Sequence, residues 1–451
     1  MSPRLLHYSD IENAYDTPER VARVAGLLAD RRGPDALVAG SGDDTGPGVL
    51  SLVTEGHQSL DFFEAVEPHV ETVGNHDFDH GFDALRSVVA DSPQRWTLAN
   101  VALDGERFGA GVGIESNTIV DVADATVGIV GVLDPATTEM TPGTDALEFG
   151  DPVDAVAREA PRLREAGADY VVALAHTDDD DARAIAADTG VDAVLAGHSH
   201  HQHATAIDGT PFTRPGATGA YVYEVDLDTG AVACHETATA EPDSAVAAAL
   251  RERVAANDLD EVVAHVDEPI SRDRERRLGG EWRLGNFVAD AYRWKTGADA
   301  ALQNGGGIRE GPALSGDVTV GDLVSVSPFE EPVVVASVTG RELRSVVAEA
   351  DGRAVDGLSD YWYGHVSGMR VAAENGGYEP YVGGDRVAGD ERYTLAVPNY
   401  LLITDLEFPT LTEAHAVERY ALQYEVVVEY ARETGIDARL EGRIPDAVAA
   451  E

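Results

Sequence analysis

Five short motifs in the first half of the chain each end an apolar, strand-like run with side chains that bind metal ions. They stand at residues 10–12, 42–44, 74–77, 175–176 and 197–200, and read Asp-Ile-Glu, Gly-Asp-Asp, Gly-Asn-His-Asp, Ala-His and Gly-His-Ser-His. Because open α/β proteins keep their sites at the carboxyl edge of a buried sheet, the pattern predicts that all five motifs meet there. One such motif arises readily by chance, whereas five in succession predict a metal centre.

The segments between these motifs predict a layered α/β domain. Helices are expected over residues 17–28, 151–165 and 181–188, each followed by a strand. Such alternation is typical of α/β architecture. Two strand-like runs separated by Asp-Thr-Gly over residues 220–238 predict a hairpin that closes the domain.

The remainder of the chain predicts a linker helix and a second domain. An alanine-rich segment from 243 to about 263 has apolar residues at helical spacing. Beyond it, helical and strand-like runs predict a mixed α+β domain. The predicted boundaries are residues 1–238 for the first domain, 239–265 for the linker helix and 266–447 for the second domain.

Two divalent metal ions need a bridging carboxylate and further oxygen or nitrogen ligands. Asp43 is the predicted bridge, because Gly42 lets the strand end turn sharply. Residues two apart on a strand end face the same side, which groups Asp10 with Glu12. The predicted ligands are Asp10, Glu12, Asp43 and His200 for the first ion, and Asp43, Asn75, His176 and His198 for the second.

His76 is predicted to act on a substrate and not to bind metal. It follows the ligand Asn75 by one residue and so points across the site, where it can donate a proton or hydrogen bond to a phosphoryl oxygen or leaving group. Asp79 is predicted to hold its imidazole in one tautomer and to favour the protonated form. The alternative is that His76 only caps the start of a helix.

The charge of the chain predicts its environment more than its function. The 451 residues carry a formal net charge of −48, with 81 acidic and 33 basic residues, and Lys295 is the single lysine. At 1 M salt the Debye length is about 3 Å, so this charge density is tolerable there, whereas in dilute buffer it self-repels. The composition predicts a halophilic source, of haloarchaeal type.

Composition also narrows the classes of molecule that the protein is expected to bind. No basic stripe is present, so neither a nucleic-acid polymer nor an anionic membrane is expected, and no obligate protein partner is evident. A small phosphorylated substrate is compatible, since bound divalent ions reverse the local field. The N-terminal segment has no apolar stretch of signal length, which predicts a cytoplasmic protein. Cys234 stands in a strand-like run and is predicted to be a buried, inert thiol.

Together, the five motifs resemble the calcineurin-like metallophosphoesterases. Motifs in the second half resemble the substrate domain of the 5'-nucleotidase family in the same order. The resemblance implies a four-layer α/β/β/α domain with two divalent metal ions, joined by a helix to a nucleotide-binding domain. The second-half motifs are Leu284-Gly-Asn-Phe-Val-Ala-Asp290, Asn304-Gly-Gly-Gly-Ile-Arg309, Pro328-Phe329, Thr339-Gly-Arg-Glu-Leu343 and Ser367-Gly368.

The resemblance also implies roles for individual residues. His76 and Asp79 match the catalytic pair, and six of the predicted ligands match the family's ligands: Asp10, Asp43, Asn75, His176, His198 and His200. In the second domain four residues match substrate contacts. Asn304 and Arg309 match contacts of the glycine-rich loop, and Phe329 and Tyr400 match two rings that sandwich a base. Because stacking suits every base, these residues do not predict which nucleotide binds.

Three departures from the family pattern bear on the site. The first motif has Glu12 where the family has histidine, and a carboxylate favours harder ions, so manganese or magnesium is expected over zinc, with manganese preferred. Gly280 replaces an arginine that often precedes the glutamate at position 281. Arg277 or Arg283 is therefore the candidate for the phosphate contact that this arginine makes in the family. The third departure concerns the acid that follows the second ring: Asp405 is its candidate, but its spacing from that ring differs by one residue from the family pattern.

The implied function is a two-metal phosphohydrolase, most simply a 5'-nucleotidase that releases phosphate from nucleoside monophosphates. A 2',3'-cyclic-nucleotide phosphodiesterase or a UDP-sugar hydrolase would use the same metals. A nucleotide-binding protein without turnover is the alternative from another class. His76 and Asp79 oppose that alternative, because a binding protein needs no positioned acid.

Overall fold

The computed structural model describes residues 2–141, 143–355, 358–359, 361–374 and 376–444. The chain divides into two compact units, Met1–Asn257 and Asp258–Glu451. Among the described residues, none of the helices has the length and apolar character needed to cross a membrane.

The first unit contains sixteen strands and eight α-helices among its described residues. The strands are β1 (Arg4–Tyr8), β2 (Ala36–Gly40), β3 (Val70–Thr72), β4 (Arg95–Thr97), β5 (Val101–Leu103), β6 (Glu106–Arg107), β7 (Ile114–Glu115), β8 (Thr118–Val122), β9 (Ala125–Leu133), β10 (Leu147–Phe149), β11 (Tyr170–His176), β12 (Ala193–Ala196), β13 (His203–Ile207), β14 (Thr210–Arg214), β15 (Tyr221–Asp226) and β16 (Val232–Glu236). The helices are α1 (Pro18–Arg31), α2 (Val49–Thr54), α3 (Ser59–Val66), α4 (Gly81–Asp91), α5 (Thr137–Met140), α6 (Pro152–Glu165), α7 (Asp179–Asp188) and α8 (Ser244–Ala256).

Thirteen of these strands form two large sheets that face each other, and the other three form a small sheet of order β10-β5-β6. One sheet has the order β16-β15-β1-β2-β3-β4-β7 and the other β13-β14-β12-β11-β9-β8. Leu5 and Leu37 of the first sheet and Ile129 and Leu174 of the second belong to one buried cluster, which fills the space between them. Helices cover the outer faces, with α6 and α7 on the second sheet. The predicted four-layer α/β/β/α architecture is confirmed.

The three helices predicted in the first domain are present as α1, α6 and α7, with starts within two residues of expectation. Side-chain caps explain two of these starts. Asp151 accepts a hydrogen bond from the backbone N–H of Asp154, and Asp178 accepts one from that of Asp181. Such caps satisfy backbone donors that the first turn of a helix leaves without partners.

The helix predicted for the linker is shorter than expected and lies in the first unit. It ends at Ala256, and Asp258 has a φ of 55°, a left-handed conformation that a helix cannot continue through. Its Arg253 Nε lies 2.6 Å from Oδ2 of Asp61 on α3. The helix therefore packs on the first unit and is not a free connector.

The prediction that Cys234 is buried is wrong. Its side chain is exposed on β16, which is the edge strand of the seven-stranded sheet. An edge strand has a neighbour on one side only, and the alternation of residues along a strand does not reveal which strand lies at the edge.

The second unit is a mixed α+β structure. Its main sheet has the order β21-β18-β25-β20-β26, accompanied by the pair β17-β19 and the small sheet β22-β23-β24. The strands are β17 (Val262–Arg272), β18 (Ala300–Asn304), β19 (Gly311–Thr319), β20 (Pro332–Thr339), β21 (Gly364–Ser367), β22 (Met369–Glu374), β23 (Gly377–Val382), β24 (Asp385–Arg386), β25 (Arg392–Pro398) and β26 (Ala416–Leu422). The helices are α9 (Arg274–Leu278), α10 (Arg283–Thr296), α11 (Val320–Val324), α12 (Gly340–Glu349), α13 (Tyr400–Ile403) and α14 (Gln423–Thr434).

Candidate metal centre and nucleotide site

The five motifs of the first unit follow the carboxyl ends of parallel strands. In one sheet β1, β2 and β3 are parallel neighbours, and in the other β11 and β12 are. Two groups of ligand atoms result, and the atoms of each group lie within 4.8 Å of one another. The groups are Asp43, His176 and His198, and Asp10, Glu12 and His200.

The first group centres on His176, which is fully buried. Its Nδ1 lies 2.7 Å from the carbonyl oxygen of Ser41, and its Nε2 lies 3.1 Å from Oδ2 of Asp43. A ring N–H given to a backbone carbonyl fixes the tautomer of a histidine and leaves its other nitrogen for a metal ion. Asn75 joins this group, because its Oδ1 lies 2.9 Å from Nδ1 of His198.

The second group contains the residue that departs from the family pattern. Oε1 of Glu12 lies 2.7 Å from Nε2 of His200, and Oδ1 of Asp10 lies 3.9 Å from the same nitrogen. The backbone N–H of His198 donates to Oδ1 of Asp10 at 3.1 Å, which connects the two groups. Glu12 is therefore placed among the other candidate ligands.

Four candidate ligands have left-handed backbone conformations. The φ angles are 52° for Asp10, 49° for Glu12, 56° for Asp43 and 71° for His198. This region is unfavourable for residues other than glycine, and such conformations persist at functional sites where the surrounding structure enforces them. The clustering of four of them where the carboxyl ends of the two sheets meet supports a functional role for that region.

Glycines beside the ligands permit close approach of the strand ends. A Cβ on Gly74 would stand 2.2 Å from Oδ1 of Asp43, and one on Gly197 would stand 2.6 Å from the carbonyl oxygen of Ser41. Neither distance is compatible with a side chain. The glycines in the Gly-Asn-His-Asp and Gly-His-Ser-His motifs are thus required by packing at the centre.

Two buried carboxylates support the ligands without belonging to either group. Asp77 accepts hydrogen bonds from the backbone N–H groups of Asp43 at 3.1 Å and Gly74 at 2.7 Å, and from the N–H and hydroxyl of Thr45. Asp134 has Oδ2 at 3.7 Å from Nε2 of His198. Neither role was predicted, although the position of Asp77 inside the third motif was a signal.

The two histidines of the first ligand group, His176 and His198, differ in their pKa values. Burial disfavours the charged form of Asp43, but the protonated imidazole of His176 outweighs it and lowers the pKa of Asp43 to about 2. Burial lowers the pKa of His176, but the carboxylates of Asp43 and Asp10 outweigh this and raise it to about 9. Burial and the nearby His176 lower the pKa of His198 to about 4, so its ring is neutral near pH 7. A neutral imidazole and an ionised carboxylate are the forms that bind metal ions, so Asp43 and His198 are already in these forms, whereas His176 would release its proton when an ion binds.

His76 has the geometry predicted for it. Its Nδ1 lies 2.9 Å from Oδ2 of Asp79, and both side chains are partly exposed. Burial lowers the pKa of His76, but the carboxylates of Asp43 and Asp79 outweigh this and raise it to about 10. The ring is therefore protonated at neutral pH and can donate a hydrogen bond to an anionic oxygen.

In the second unit, three predicted substrate contacts lie at one edge of the main sheet. Asn304 ends β18, which is parallel to β25, and Tyr400 follows the end of β25. Phe329 precedes β20, which is antiparallel to β25. The segments of Phe329 and Tyr400 are also joined, since the backbone N–H of Asn399 donates to the carbonyl of Pro332 at 3.0 Å.

The acid beside Asn304 is Glu407, which lies two residues beyond Asp405, the candidate for the acid that follows the second ring. Nδ2 of Asn304 donates to Oε2 of Glu407 at 2.5 Å, and Glu407 is 8% exposed. Asp405 is exposed. Burial raises the pKa of Glu407, while its bond to Asn304 and the charge of Arg277 act in the opposite direction.

Arg277 lies against the glycine-rich loop, whereas Arg283 does not. Nη1 of Arg277 donates to the carbonyl of Ile308 at 2.9 Å, and its Nε is buried without a hydrogen-bond partner. Arg283 donates instead to carbonyls of residues 268, 269 and 438. Arg309, at the end of the loop, stacks its guanidinium over the ring of Phe329 at 4.7 Å.

The motif over residues 284–290 holds the chain's own C-terminal segment. Nδ2 of Asn286 donates to the carbonyl of Arg439 at 2.8 Å, and both oxygens of Asp290 accept from Arg443, at 2.7 and 2.8 Å. These two motif residues are thus engaged in fold contacts.

Two families match the chain. The calcineurin-like phosphoesterase family matches residues 3–202, and the 5'-nucleotidase C-terminal domain matches residues 262–413. Calcineurin-like phosphoesterases use divalent metal ions, and the two ligand groups described above lie within the first match. Residues 3–202 therefore belong to the calcineurin-like phosphoesterase family, and residues 262–413 to the family of 5'-nucleotidase C-terminal domains. The proteins of these families are metal-dependent phosphoric ester hydrolases.

Curated relatives and solved structures agree with this architecture. The 5'-nucleotidase precursor from Thermus thermophilus shares the fold, with a TM-score of 0.71 and 22% identity over 98% of this chain and 99% of its own. Two relatives from Bacillus subtilis (strain 168) are each 26% identical: Endonuclease YhcR over 81% of this chain, and the trifunctional nucleotide phosphoesterase protein YfkN over 92%. The chain spans only 33% and 30% of their lengths.

Proposed function

We propose that the protein is a two-metal phosphohydrolase, most simply a 5'-nucleotidase that releases phosphate from nucleoside monophosphates. One observation carries the proposal: two groups of carboxylate and imidazole ligands, each within 4.8 Å, meet at the carboxyl ends of strands from both sheets, beside a histidine, His76, that is held by Asp79. That combination suits a phosphoryl group, which needs its negative charge neutralised and its leaving group protonated.

The residues present fit two divalent ions. Asp43, Asn75, His176 and His198 would hold one ion, and Asp10, Glu12, Asp43 and His200 the other. His176 gives its Nδ1–H to a carbonyl and directs Nε2 towards Oδ2 of Asp43 and Oδ1 of Asn75, two of the other candidate ligands. When bound, the ions supply Lewis acidity and charge neutralisation to the phosphoryl group. The carboxylate of Glu12 favours manganese or magnesium over zinc.

The chain's own residues supply the remaining chemistry. His76 is held through Nδ1 by Asp79, which leaves Nε2–H to donate to a phosphoryl oxygen or to the departing oxygen. Asp77 and the left-handed backbone of Asp43 keep that carboxylate fixed, so little reorganisation accompanies catalysis.

Recognition of the nucleotide is assigned to the second unit. Phe329 and Tyr400 would stack on the base, and Asn304, Arg309, Arg277 and Glu407 would contact its polar groups. Glu407 is a hydrogen-bond acceptor and therefore suits hydroxyl groups, whereas the two arginines suit phosphate. Because the aromatic contacts are indifferent to the base, several nucleoside monophosphates are expected to be substrates.

The test is phosphate release from AMP in multimolar KCl with manganese, magnesium or zinc. Wild type is compared with His76→Asn and with His265→Asn, an exposed histidine of the other unit, as the matched control. We expect metal-dependent turnover that falls by about 100-fold or more in His76→Asn and is unchanged in the control. Nucleotide binding without any turnover would support a binding protein.

A phosphodiesterase is the second candidate, because the names of both Bacillus relatives are compatible with a diester substrate. Hydrolysis of 2',3'-cyclic nucleotides in preference to AMP would favour it, and hydrolysis of UDP-glucose would favour a UDP-sugar hydrolase. A single-stranded oligonucleotide belongs in the same panel, and its cleavage would contradict the expectation that nucleic-acid polymers are not partners.

A further inference from the structure

A cavity of about 440 Å³ lies in the second unit away from Asn304. In the register of β18 and β21, Asn304 pairs with Gly364 whereas Ala301 pairs with Ser367, and Ser367 lines the cavity. At about 3.4 Å per residue, the cavity lies roughly 10 Å along the strand from the end that carries Asn304. It is therefore separate from the candidate nucleotide site.

Three arginines and two carboxylates line this cavity, and one arginine neutralises both acids. Arg443 lies 2.7 Å from Oδ1 of Asp290 and 2.6 Å from Oε2 of Glu441. The hydroxyl of Ser367 also donates to Asp290, at 2.6 Å. Asp290, Glu441 and Arg443 thus form one wall of the cavity, in which the charges are already paired. The charge available to a ligand therefore comes from the two remaining arginines.

Those arginines, Arg293 and Arg370, are not paired with acids. Within the described part of the chain, no carboxylate oxygen lies within 4.0 Å of either guanidinium, although the sequence contains 81 acidic residues. Arg293 uses only Nε, which donates to the carbonyl of Asp299 at 3.3 Å. Arg370 stacks on Tyr381 with its Cζ 4.7 Å from the ring centroid, a contact that leaves its N–H groups available.

The Ser-Gly motif at 367–368 positions one of these arginines. Gly368 has a φ of 67°, and a Cβ there would stand 2.3 Å from Nε of Arg293. Only glycine lets the guanidinium lie against the backbone at this turn. The motif therefore keeps Arg293 at the cavity wall.

We propose that this cavity, the arginine pocket (Arg293, Arg370 and the wall of Asp290, Glu441 and Arg443), binds a small phosphate-bearing molecule. Two guanidinium groups with unused N–H donors match the oxygens of a phosphate, and Arg binds this group in a bidentate manner. The ligand is inorganic phosphate or a nucleoside monophosphate. Binding there is a property of the second unit and does not require that the chain hydrolyse anything.

The test measures binding of inorganic phosphate, AMP and adenosine to the full chain by equilibrium dialysis in multimolar KCl with EDTA, so that no divalent ion holds the phosphate. Arg293→Gln and Arg370→Gln are compared with Arg392→Gln, an exposed arginine of β25 that changes the net charge equally. We expect the Kd for phosphate to rise at least about tenfold in the first two variants and to be unchanged in the control.

Arg370→Lys keeps the charge and the aliphatic stem on Tyr381 but loses the planar guanidinium group. A higher Kd for phosphate in this variant therefore supports bidentate binding in a folded protein. AMP binding that is tighter than phosphate binding and is weakened in Arg293→Gln and Arg370→Gln identifies a nucleotide ligand of this pocket, whereas AMP binding that is unchanged in both variants, beside phosphate binding that is weakened, identifies free phosphate. Absence of saturable binding in the wild type, or equal Kd values in all variants, overturns the proposal.

Discussion

Asn304 and Glu407 are 103 residues apart in the chain and are joined by a hydrogen bond of 2.5 Å from Nδ2 to Oε2. The bond lies at the edge of the main sheet of the second unit, next to the glycine-rich loop. A carboxylate buried at a loop of this kind and bonded to an amide keeps that amide in one orientation. It also retains a second oxygen for a ligand.

The first prediction concerns this acid. Glu407→Ala removes the acceptor, and we expect the Kd for AMP to rise about 10- to 100-fold, the magnitude of a hydrogen bond to a charged group. Isothermal titration calorimetry with AMP measures it. Asp405→Ala is the matched control, because that acid is exposed and two residues away, and equal losses in both variants would contradict a role for Glu407.

The second prediction concerns the metal preference. Glu12→His replaces a carboxylate by an imidazole among the candidate ligands, and we expect the affinity for zinc to rise relative to that for manganese. Glu12→Ala removes a ligand, and its Kd for manganese should rise at least about tenfold. Titration of the chelator-treated protein with each ion gives both values. A zinc-to-manganese ratio that is the same in wild type and Glu12→His would show that this residue does not bind the ion.

The third prediction concerns the support of the centre. Asp77→Ala leaves four buried donors without an acceptor, and we expect the free energy of unfolding to fall by on the order of 3 kcal/mol. Asp83→Ala removes an acid whose side chain is fully exposed and should change stability by less than about 0.5 kcal/mol. Urea unfolding in multimolar KCl compares the two, and equal stabilities would contradict the assigned hydrogen bonds.

The grouping of the candidate ligands was predictable because its signal is local. Each candidate ligand ends a strand or stands within four residues of its carboxyl end, and the ends of parallel strands meet by topology. The left-handed backbone of Asp10, Glu12, Asp43 and His198 was not predictable, because it results from the packing of two sheets and leaves only the neighbouring glycines as a trace in the sequence.

Long-range partners account for the rest of what the sequence did not reveal. Glu407 meets Asn304 only because a strand pair brings the two segments to one edge, and Asp134 approaches His198 from β9 to β12 of the second sheet, which have β11 between them. The burial of Cys234 was predicted wrongly for a related reason, since the order of strands in the sheet decides it. The residue-by-residue ligand assignment and the cytoplasmic location stay predictions.

The last prediction concerns the pH dependence of stability and His365, which is fully buried next to the backbone of Arg277. Its Nε2 lies 3.0 Å from the carbonyl oxygen of Arg277, and burial lowers its pKa to about 4 from an ordinary value near 6.5. Because the unfolded chain binds this proton more readily than the folded one, the contribution of His365 to stability is present above pH 6.5. It is lost as the pH falls towards 4. The loss amounts to at most about 3 kcal/mol by linkage.

His365→Gln has no such proton, so the difference in unfolding free energy between wild type and variant should shrink steadily from pH 7 to pH 4. Urea unfolding of both proteins at constant KCl measures that difference, in which the many carboxylates common to both cancel. A difference that does not change with pH would show that His365 titrates alike in the folded and unfolded chains.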